Sequence, residues 1–161
     1  MNAQLALLGA AMGIGATAVL DLWGLALKAV FGWPTTNWGL VGRWFLHLPS
    51  GTWRHDAIGA APSFQNERAA GWIAHYAVGM VFGLVTVAIG GAAWAAAPTW
   101  PLPLAVGLVT IGCGWFILQP GMGAGFAASR RPDRVRVRIL NVVGHTVFGL
   151  AMWGVAVLLA R

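Results

Sequence analysis

The segment "AAGWIAHYAVGMVFGLVTVAIGGAAWAA", residues 69–96, contains no Asp, Glu, Lys or Arg and is long enough to cross a lipid bilayer. A membrane span needs about 20 apolar residues to cross roughly 30 Å of hydrocarbon. The chain as a whole is similarly apolar. Of its 161 residues, 58% are hydrophobic and 9% are charged, and the mean hydropathy is +0.73. A soluble domain of this size could not cover its surface with so few polar side chains.

Further apolar runs give four predicted spans in total, at residues 4–30, 69–96, 101–119 and 138–159. Lipid cannot pair backbone N–H and C=O groups, so each span must be a helix or belong to a closed barrel. Barrel strands alternate polar and apolar residues, whereas these runs are continuously apolar. The first run lacks a basic start and continues past its small residues, so we interpret it as a retained helix and not as a signal peptide. We therefore predict an all-α integral membrane protein, a four-transmembrane-helix bundle forming one domain over residues 1–161.

Basic residues are distributed unevenly between the two ends of these spans. Of the ten basic residues, nine occupy or flank the connections between spans one and two and between spans three and four: Lys28, Arg43, Arg54, Arg68, Arg130, Arg131, Arg134, Arg136 and Arg138. The positive-inside rule then places both connections in the cytoplasm of a bacterial inner membrane, with both termini outside and Arg161 on the outer side. This topology, in contact with anionic lipid, explains the net charge of +6, so no nucleic-acid site is required.

Ionisable residues inside the spans lie at one predicted depth. Asp21, His75 and His145 are each seven residues from the basic residue that marks the cytoplasmic end of their span. At about 1.5 Å per residue, all three lie roughly 10 Å inside the interface, and Gln119 ends span three on the same side. An ionisable residue in a span by default faces the bundle interior and marks a functional site. We therefore predict a shared polar site, with a structural network in which Asp21 pairs with one histidine across the bundle as the alternative.

The first long connection contains a predicted amphipathic helix at residues 37–48, lying on the cytoplasmic interface. Asn37 is a suitable N-cap, and Pro49-Ser50-Gly51 is a stop signal. One face is apolar: Trp38, Val41, Phe45 and Leu48. Arg43 and His47 lie on the other face, where Arg43 is placed to meet an anionic headgroup.

Most acidic residues and all histidines lie within or just outside the cytoplasmic third of the predicted bundle. They are Asp21, His47, His55, Asp56, Glu67, His75 and His145. Nitrogen and carboxylate ligands together suit Zn, Fe, Mn or Cu, and such an ion polarises a carbonyl or activates water. We therefore expect this polar site to bind a metal ion (Zn or Fe) or another cofactor for chemistry on a membrane-located substrate.

Three alternative functions use the same features differently. His75 and His145 could ligate a b-type haem from two helices, with Gly79 and Gly149 either making room for it or allowing a close helix contact. Asp and His residues in spans also form proton pathways in small transporters. The ten tryptophans and many glycines suit the packing surfaces of a homo-oligomer or of an accessory subunit in a larger membrane complex.

Several short motifs are spread over nearly the whole chain: Gly42-Arg43-Trp44, His55, Gly71-Trp72, His75-Tyr76, Gln119-Pro120-Gly121 and His145. Their order resembles that of a family of small bacterial four-span inner-membrane proteins, catalogued as a domain of unknown function. The resemblance implies a four-helix membrane fold and supplies no activity.

Overall fold

The computed structural model describes residues 1–160 and contains no strand in that range. Its main helices are α1 (Ala3–Phe31), α2 (Trp38–His47), α3 (Glu67–Ala96), α4 (Pro101–Gly121) and α5 (Arg134–Leu159). Four of them, α1, α3, α4 and α5, are long and apolar enough to cross a membrane. The predicted all-α multi-pass membrane fold is therefore confirmed. Arg161, the basic residue assigned to the outer side, lies outside the described residues.

The short helix α2 begins and ends at the signals read from the sequence. The Asn37 side chain accepts hydrogen bonds from the N–H groups of Gly39 and Leu40, which have no partner inside the helix. A 3₁₀ turn follows, and the chain leaves it through Gly51, whose left-handed backbone (φ 79°) favours glycine. The helix predicted at residues 37–48 is thus confirmed, together with its N-cap.

The first of two compact units consists of residues 1–35, 76–110 and 142–160. It is a four-helix bundle with a core of apolar side chains from α1, α3, α4 and α5: Met12, Ala16, Val87, Val106, Phe148, Met152 and Ala156. Lipid tails are as apolar as these side chains, so helices in a membrane associate mainly through close packing.

Small residues bring the helices of this unit close together. Gly9 and Gly13 of α1 face Gly83 and Gly79 of α3, and a Cβ added at Gly13 would lie 2.6 Å from the Cα of Met80. Real side chains do not approach so closely, so these positions require glycine. The pairs of small residues four apart in the sequence are therefore helix-packing contacts.

The second unit consists of Thr36–His75 and Ile111–Asn141, and it contains both long connections. The His55 N–H donates to the Gly121 carbonyl at 2.9 Å. This bond joins the two connections directly.

Helix α4 contains one widened turn at Gly114–Leu118, where the backbone is π-helical. Pro120 lacks an N–H, and in a regular helix its ring would clash with the carbonyl four residues earlier. The Gln119 N–H donates instead to the Gly114 carbonyl, five residues back. Such turns are frequent at functional sites, and this one positions the residues at the end of α4.

Candidate functional site

Arg43 joins α2 to the loop that follows it. Its Nε and Nη2 donate to the two carboxylate oxygens of Glu67 at 2.8 and 2.9 Å. Its Nη1 donates to the backbone carbonyls of Ile58, Gly59 and Ala61 at 3.0–3.3 Å. The hydrogen bonds from Arg43 to Glu67 raise the pKa of the guanidinium above its ordinary value. Arg43 thus stabilises the fold of the second unit, and its contact with a headgroup stays a prediction.

Helix α2 packs on the first turns of α3 through a glycine contact. Gly42 and Gly71 lie so close that a Cβ on Gly71 would be 2.7 Å from the carbonyl carbon of Trp38. The Trp38 ring stacks on the His75 imidazole with ring centres 3.9 Å apart, and Trp72 lies beside both. One face of His75, a predicted ligand, is therefore covered by an indole.

His47 and His55 lie together in the second unit, with ring centres 4.8 Å apart. The His47 Nε2 is 3.1 Å from the Pro62 carbonyl, and the His55 Nδ1 is 3.3 Å from the Gly121 carbonyl. A carbonyl oxygen only accepts hydrogen bonds, so both of these nitrogens carry hydrogen. The His55 Nε2 is buried and has no hydrogen-bonding partner within residues 1–160. Asp56, the next predicted site residue, is exposed.

A cluster of amides follows the π turn of α4. The Asn141 Oδ1 accepts hydrogen bonds from the Trp115 Nε1 at 2.9 Å and the Gln119 Nε2 at 3.0 Å. The Gln119 Oε1 is buried without a partner in the described part of the chain. Leaving a buried acceptor unpaired costs about 1–3 kcal/mol, so this atom marks a place suited to a hydrogen-bond donor.

A cavity of about 260 Å³ lies in the second unit, lined by Arg54, Pro120, Gly125, Phe126, Ser129 and Arg130. Its lining combines two guanidinium groups and a hydroxyl with an aromatic ring. Within residues 1–160, neither the Arg54 nor the Arg130 side chain has a hydrogen-bonded or ionic partner. Unpaired guanidinium groups favour an anionic ligand, above all a carboxylate or a phosphate.

The backbone beside this cavity is strained. Ala127 (φ 46°, ψ 46°) and Ala128 (φ 58°) are both left-handed, which costs roughly 1–2 kcal/mol for each non-glycine residue. The Arg138 Nε donates to the Ala127 carbonyl at 2.8 Å, and Ala128 is fully buried. Strain that surrounding contacts maintain in this way clusters at ligand-binding sites.

Two predicted ligands lie in the first unit, where each bonds to another helix. The Tyr76 hydroxyl donates to the Asp21 carboxylate at 3.0 Å. The His145 Nδ1 donates to the Gly107 carbonyl at 2.9 Å and also lies 3.4 Å from the Thr110 hydroxyl. Such bonds stabilise helix pairs in membranes. A shared polar site and a pairing of Asp21 with a histidine both stay predictions.

The glycines four residues after His75 and His145 contact neighbouring helices. A Cβ at Gly149 would lie 2.8 Å from the Cα of Leu104, and one at Gly79 would overlap the Thr17 hydroxyl. The interpretation that these glycines allow close helix contacts is therefore confirmed, while haem binding stays a prediction.

The predicted metal set is not found as a compact group. Within residues 1–160, no three or more His, Cys, Asp and Glu side chains lie close enough together to hold a metal ion. Glu67 is paired with Arg43, and Asp21, His75 and His145 have the neighbours described above. Metal binding by these residues stays a prediction.

From the sequence, Arg54 and Arg130 serve only to orient the spans in the membrane, and Ser129 and Asn141 have no predicted role. Asn141 hydrogen-bonds to side chains 22 and 26 residues away. Helical periodicity predicts contacts only between residues three or four apart, so it could not predict these bonds. Pro120 was the one local sign of an unusual backbone in α4, since a proline inside a helix distorts the preceding turn.

Comparison with known proteins extends this description. No curated protein and no solved structure is significantly similar to the chain. A family model matches residues 10–159, which reaches all four spans and includes every motif quoted above. The chain therefore belongs to the family described as protein of unknown function (DUF2938).

Proposed function

We propose that this chain is a multi-pass protein of the bacterial inner membrane that binds a phosphate-bearing, membrane-located ligand in the cavity of its second unit. The observation that carries the proposal is the lining, where Arg54 and Arg130 present guanidinium groups with no partner among residues 1–160, beside Ser129. Phosphate suits arginine because the planar guanidinium donates two parallel hydrogen bonds to its oxygens.

The predicted topology supports a ligand from the cytoplasmic leaflet. Arg54 and Arg130 belong to the two connections that the positive-inside rule places in the cytoplasm. Anionic headgroups in that leaflet attract basic residues near the membrane. The Phe126 side chain, 62% exposed, offers the less polar part of such a ligand an apolar surface.

The size of the cavity and the backbone beside it also agree with a headgroup ligand. A volume of about 260 Å³ is slightly below the range of roughly 300–1,000 Å³ that holds drug-sized molecules. The left-handed segment at Ala127 and Ala128 is held by Arg138 and by burial. It therefore fixes the backbone ahead of Ser129 and Arg130 before a ligand arrives, which lowers the entropy cost of binding.

A catalysed reaction on such a ligand would need a further catalytic group. Among residues 1–160, no histidine or carboxylate lines the cavity to act as a general acid or base. A metal ion or another cofactor, as predicted from the sequence, would have to supply it. Binding is therefore the first part of the proposal to test.

Native mass spectrometry of the full chain in mild detergent tests this binding. The wild type should retain phosphatidylglycerol better than diacylglycerol, which lacks the phosphate. Replacing Arg54→Gln and Arg130→Gln together should weaken that retention at least about 100-fold, since each hydrogen bond to a charged group contributes about 1.5–3 kcal/mol. The control pair Arg68→Gln and Arg134→Gln removes the same charge outside the cavity and should weaken retention only a few fold, because long-range charge effects are screened.

Inorganic phosphate separates a lipid from a soluble ligand. If millimolar phosphate displaces the lipid, the site recognises phosphate itself and a soluble phosphate compound can be its ligand. Lipid retention that resists phosphate identifies a membrane-located ligand. Equal loss of retention in the two double variants would contradict the proposal, because the cavity arginines would then act as general surface charge.

A further inference from the structure

His47 and His55 form a pair of imidazoles outside the arginine-lined cavity. His47 is the last residue of α2, and His55 lies in the loop that is hydrogen-bonded to the end of α4. Their ring centres are 4.8 Å apart with the ring planes inclined at 58°. Neither ring forms an ion pair within residues 1–160.

Each ring uses one nitrogen as a hydrogen-bond donor, which leaves the lone pair of its other nitrogen available to a ligand. The His47 Nε2 donates to the Pro62 carbonyl, and the His55 Nδ1 donates to the Gly121 carbonyl. In the neutral rings, the His47 Nδ1 and the His55 Nε2 are then acceptors. Histidines that bind metal ions almost always donate their other ring N–H in this way, often to a backbone carbonyl, which fixes the tautomer and the orientation of the ring.

The His55 Nε2 is buried and has no hydrogen-bonding partner in the described part of the chain. A buried acceptor without a partner is unfavourable, and native proteins rarely keep one without a use for it. The Phe64 ring, whose centre is 4.9 Å from that of His47, meets it edge to face and offers no hydrogen bond. Packing of the rings alone therefore does not explain the arrangement.

The separation of the rings suits a shared ion. A zinc–nitrogen bond is about 2.0–2.1 Å, so two imidazoles on one tetrahedral ion have ring centres roughly 5 Å apart. The observed 4.8 Å agrees with this value. We propose that His47 and His55 bind a divalent transition-metal ion of the class that prefers nitrogen ligands, such as Zn²⁺, Cu²⁺ or Ni²⁺.

Two protein ligands leave open coordination positions. Water or an anion would fill them, as in catalytic sites, where an open position is kept for the reacting group. Because such sites usually have three protein ligands, we expect an affinity well below that of a closed structural site. This site is distinct from the arginine-lined cavity, so either proposal can fail without the other.

Copper titration followed by electron paramagnetic resonance tests the proposal on the full chain, in mild detergent, with an affinity tag that contains no histidine. The wild type should bind one Cu²⁺ per chain, with hyperfine coupling to two imidazole nitrogens. This measurement needs no variant. Its failure to detect nitrogen coupling would overturn the proposal.

Isosteric variants then identify the ligands. His47→Gln and His55→Asn each keep an N–H for the Pro62 or Gly121 carbonyl but remove the lone pair. Each should weaken Cu²⁺ binding more than about 100-fold, since loss of outer-shell partners alone costs 10–100-fold. His145→Asn makes the same change at a histidine of the first unit and should bind like the wild type. Binding retained by the His47→Gln, His55→Asn double variant would exclude these residues as ligands.

Discussion

The change Gly71→Ala should push α2 away from α3 and destabilise the second unit. A Cβ on Gly71 would lie 2.7 Å from the carbonyl carbon of Trp38 and 3.0 Å from the Gly42 nitrogen, where ordinary contacts are 3.4–4 Å. Both neighbours are backbone atoms, which cannot rotate aside. The two helices must therefore separate by at least about 0.7 Å, a gap large enough to forfeit a quarter to a half of each affected van der Waals contact.

The magnitude follows from how deeply the side chains of α2 are buried. Val41 and Trp44 of α2 are only 4% and 5% exposed, and fully burying one such side chain is worth about 1.5–3 kcal/mol. Together with backbone overpacking, the loss comes to about 3 kcal/mol. Alanine returns about 1 kcal/mol through its higher helix propensity. We expect a net loss of about 2 kcal/mol, or about 4–8 °C in melting temperature for a chain of this size.

Thermal unfolding in mild detergent, followed by circular dichroism, measures this loss. Gly24→Ala is the matched control, because a Cβ at Gly24 of α1 has nothing within 4 Å. The control should melt at the wild-type temperature or slightly above it. The Gly71→Ala variant should also bind Cu²⁺ less tightly, since His47 moves with α2. A Gly71→Ala protein as stable as the wild type would refute the close approach of these two helices.

Three further changes test separate contacts by the same unfolding assay. Ala127→Gly should raise stability by about 1 kcal/mol, because glycine adopts the left-handed conformation without strain; an unchanged or lower melting temperature would argue against that conformation. Asn141→Ala should cost about 1–3 kcal/mol by leaving the Gln119 amide and the Trp115 indole N–H unpaired, while Asn141→Leu combined with Gln119→Leu leaves only the indole N–H unpaired and should cost less than Asn141→Ala alone. Tyr76→Phe removes a donor to Asp21 and should cost about 0.6 kcal/mol, the average for such a bond between membrane helices, and no more than about 1.7 kcal/mol.

The sequence predicts the spans and α2 well because their signals are local. Long apolar runs mark α1, α3, α4 and α5, and each extends the predicted span by only a few residues. Asn37 caps α2 as predicted, since an N-cap acts on the N–H groups two and three residues ahead.

The contacts of the second unit are not local, and the sequence does not predict them. Arg43 has the spacing of a residue on a polar helix face, yet it pairs with Glu67, 24 residues away. The depth argument places His145 at a level in the membrane but leaves open which helix it faces, and it donates to Gly107 of α4. The depth of a residue in the membrane is set by the sequence of its own span, whereas its hydrogen-bonding partners depend on how several helices pack.

A crystal structure of the protein grown in a lipidic phase containing phosphatidylglycerol tests the binding proposal most directly. The proposal predicts a phosphate group in the cavity, with oxygens about 2.7–2.9 Å from the guanidinium nitrogens of Arg54 and Arg130 and a hydrogen bond from Ser129. Ordered lipid phosphates bound only elsewhere on the protein, with both guanidinium groups turned away from the cavity, would contradict it.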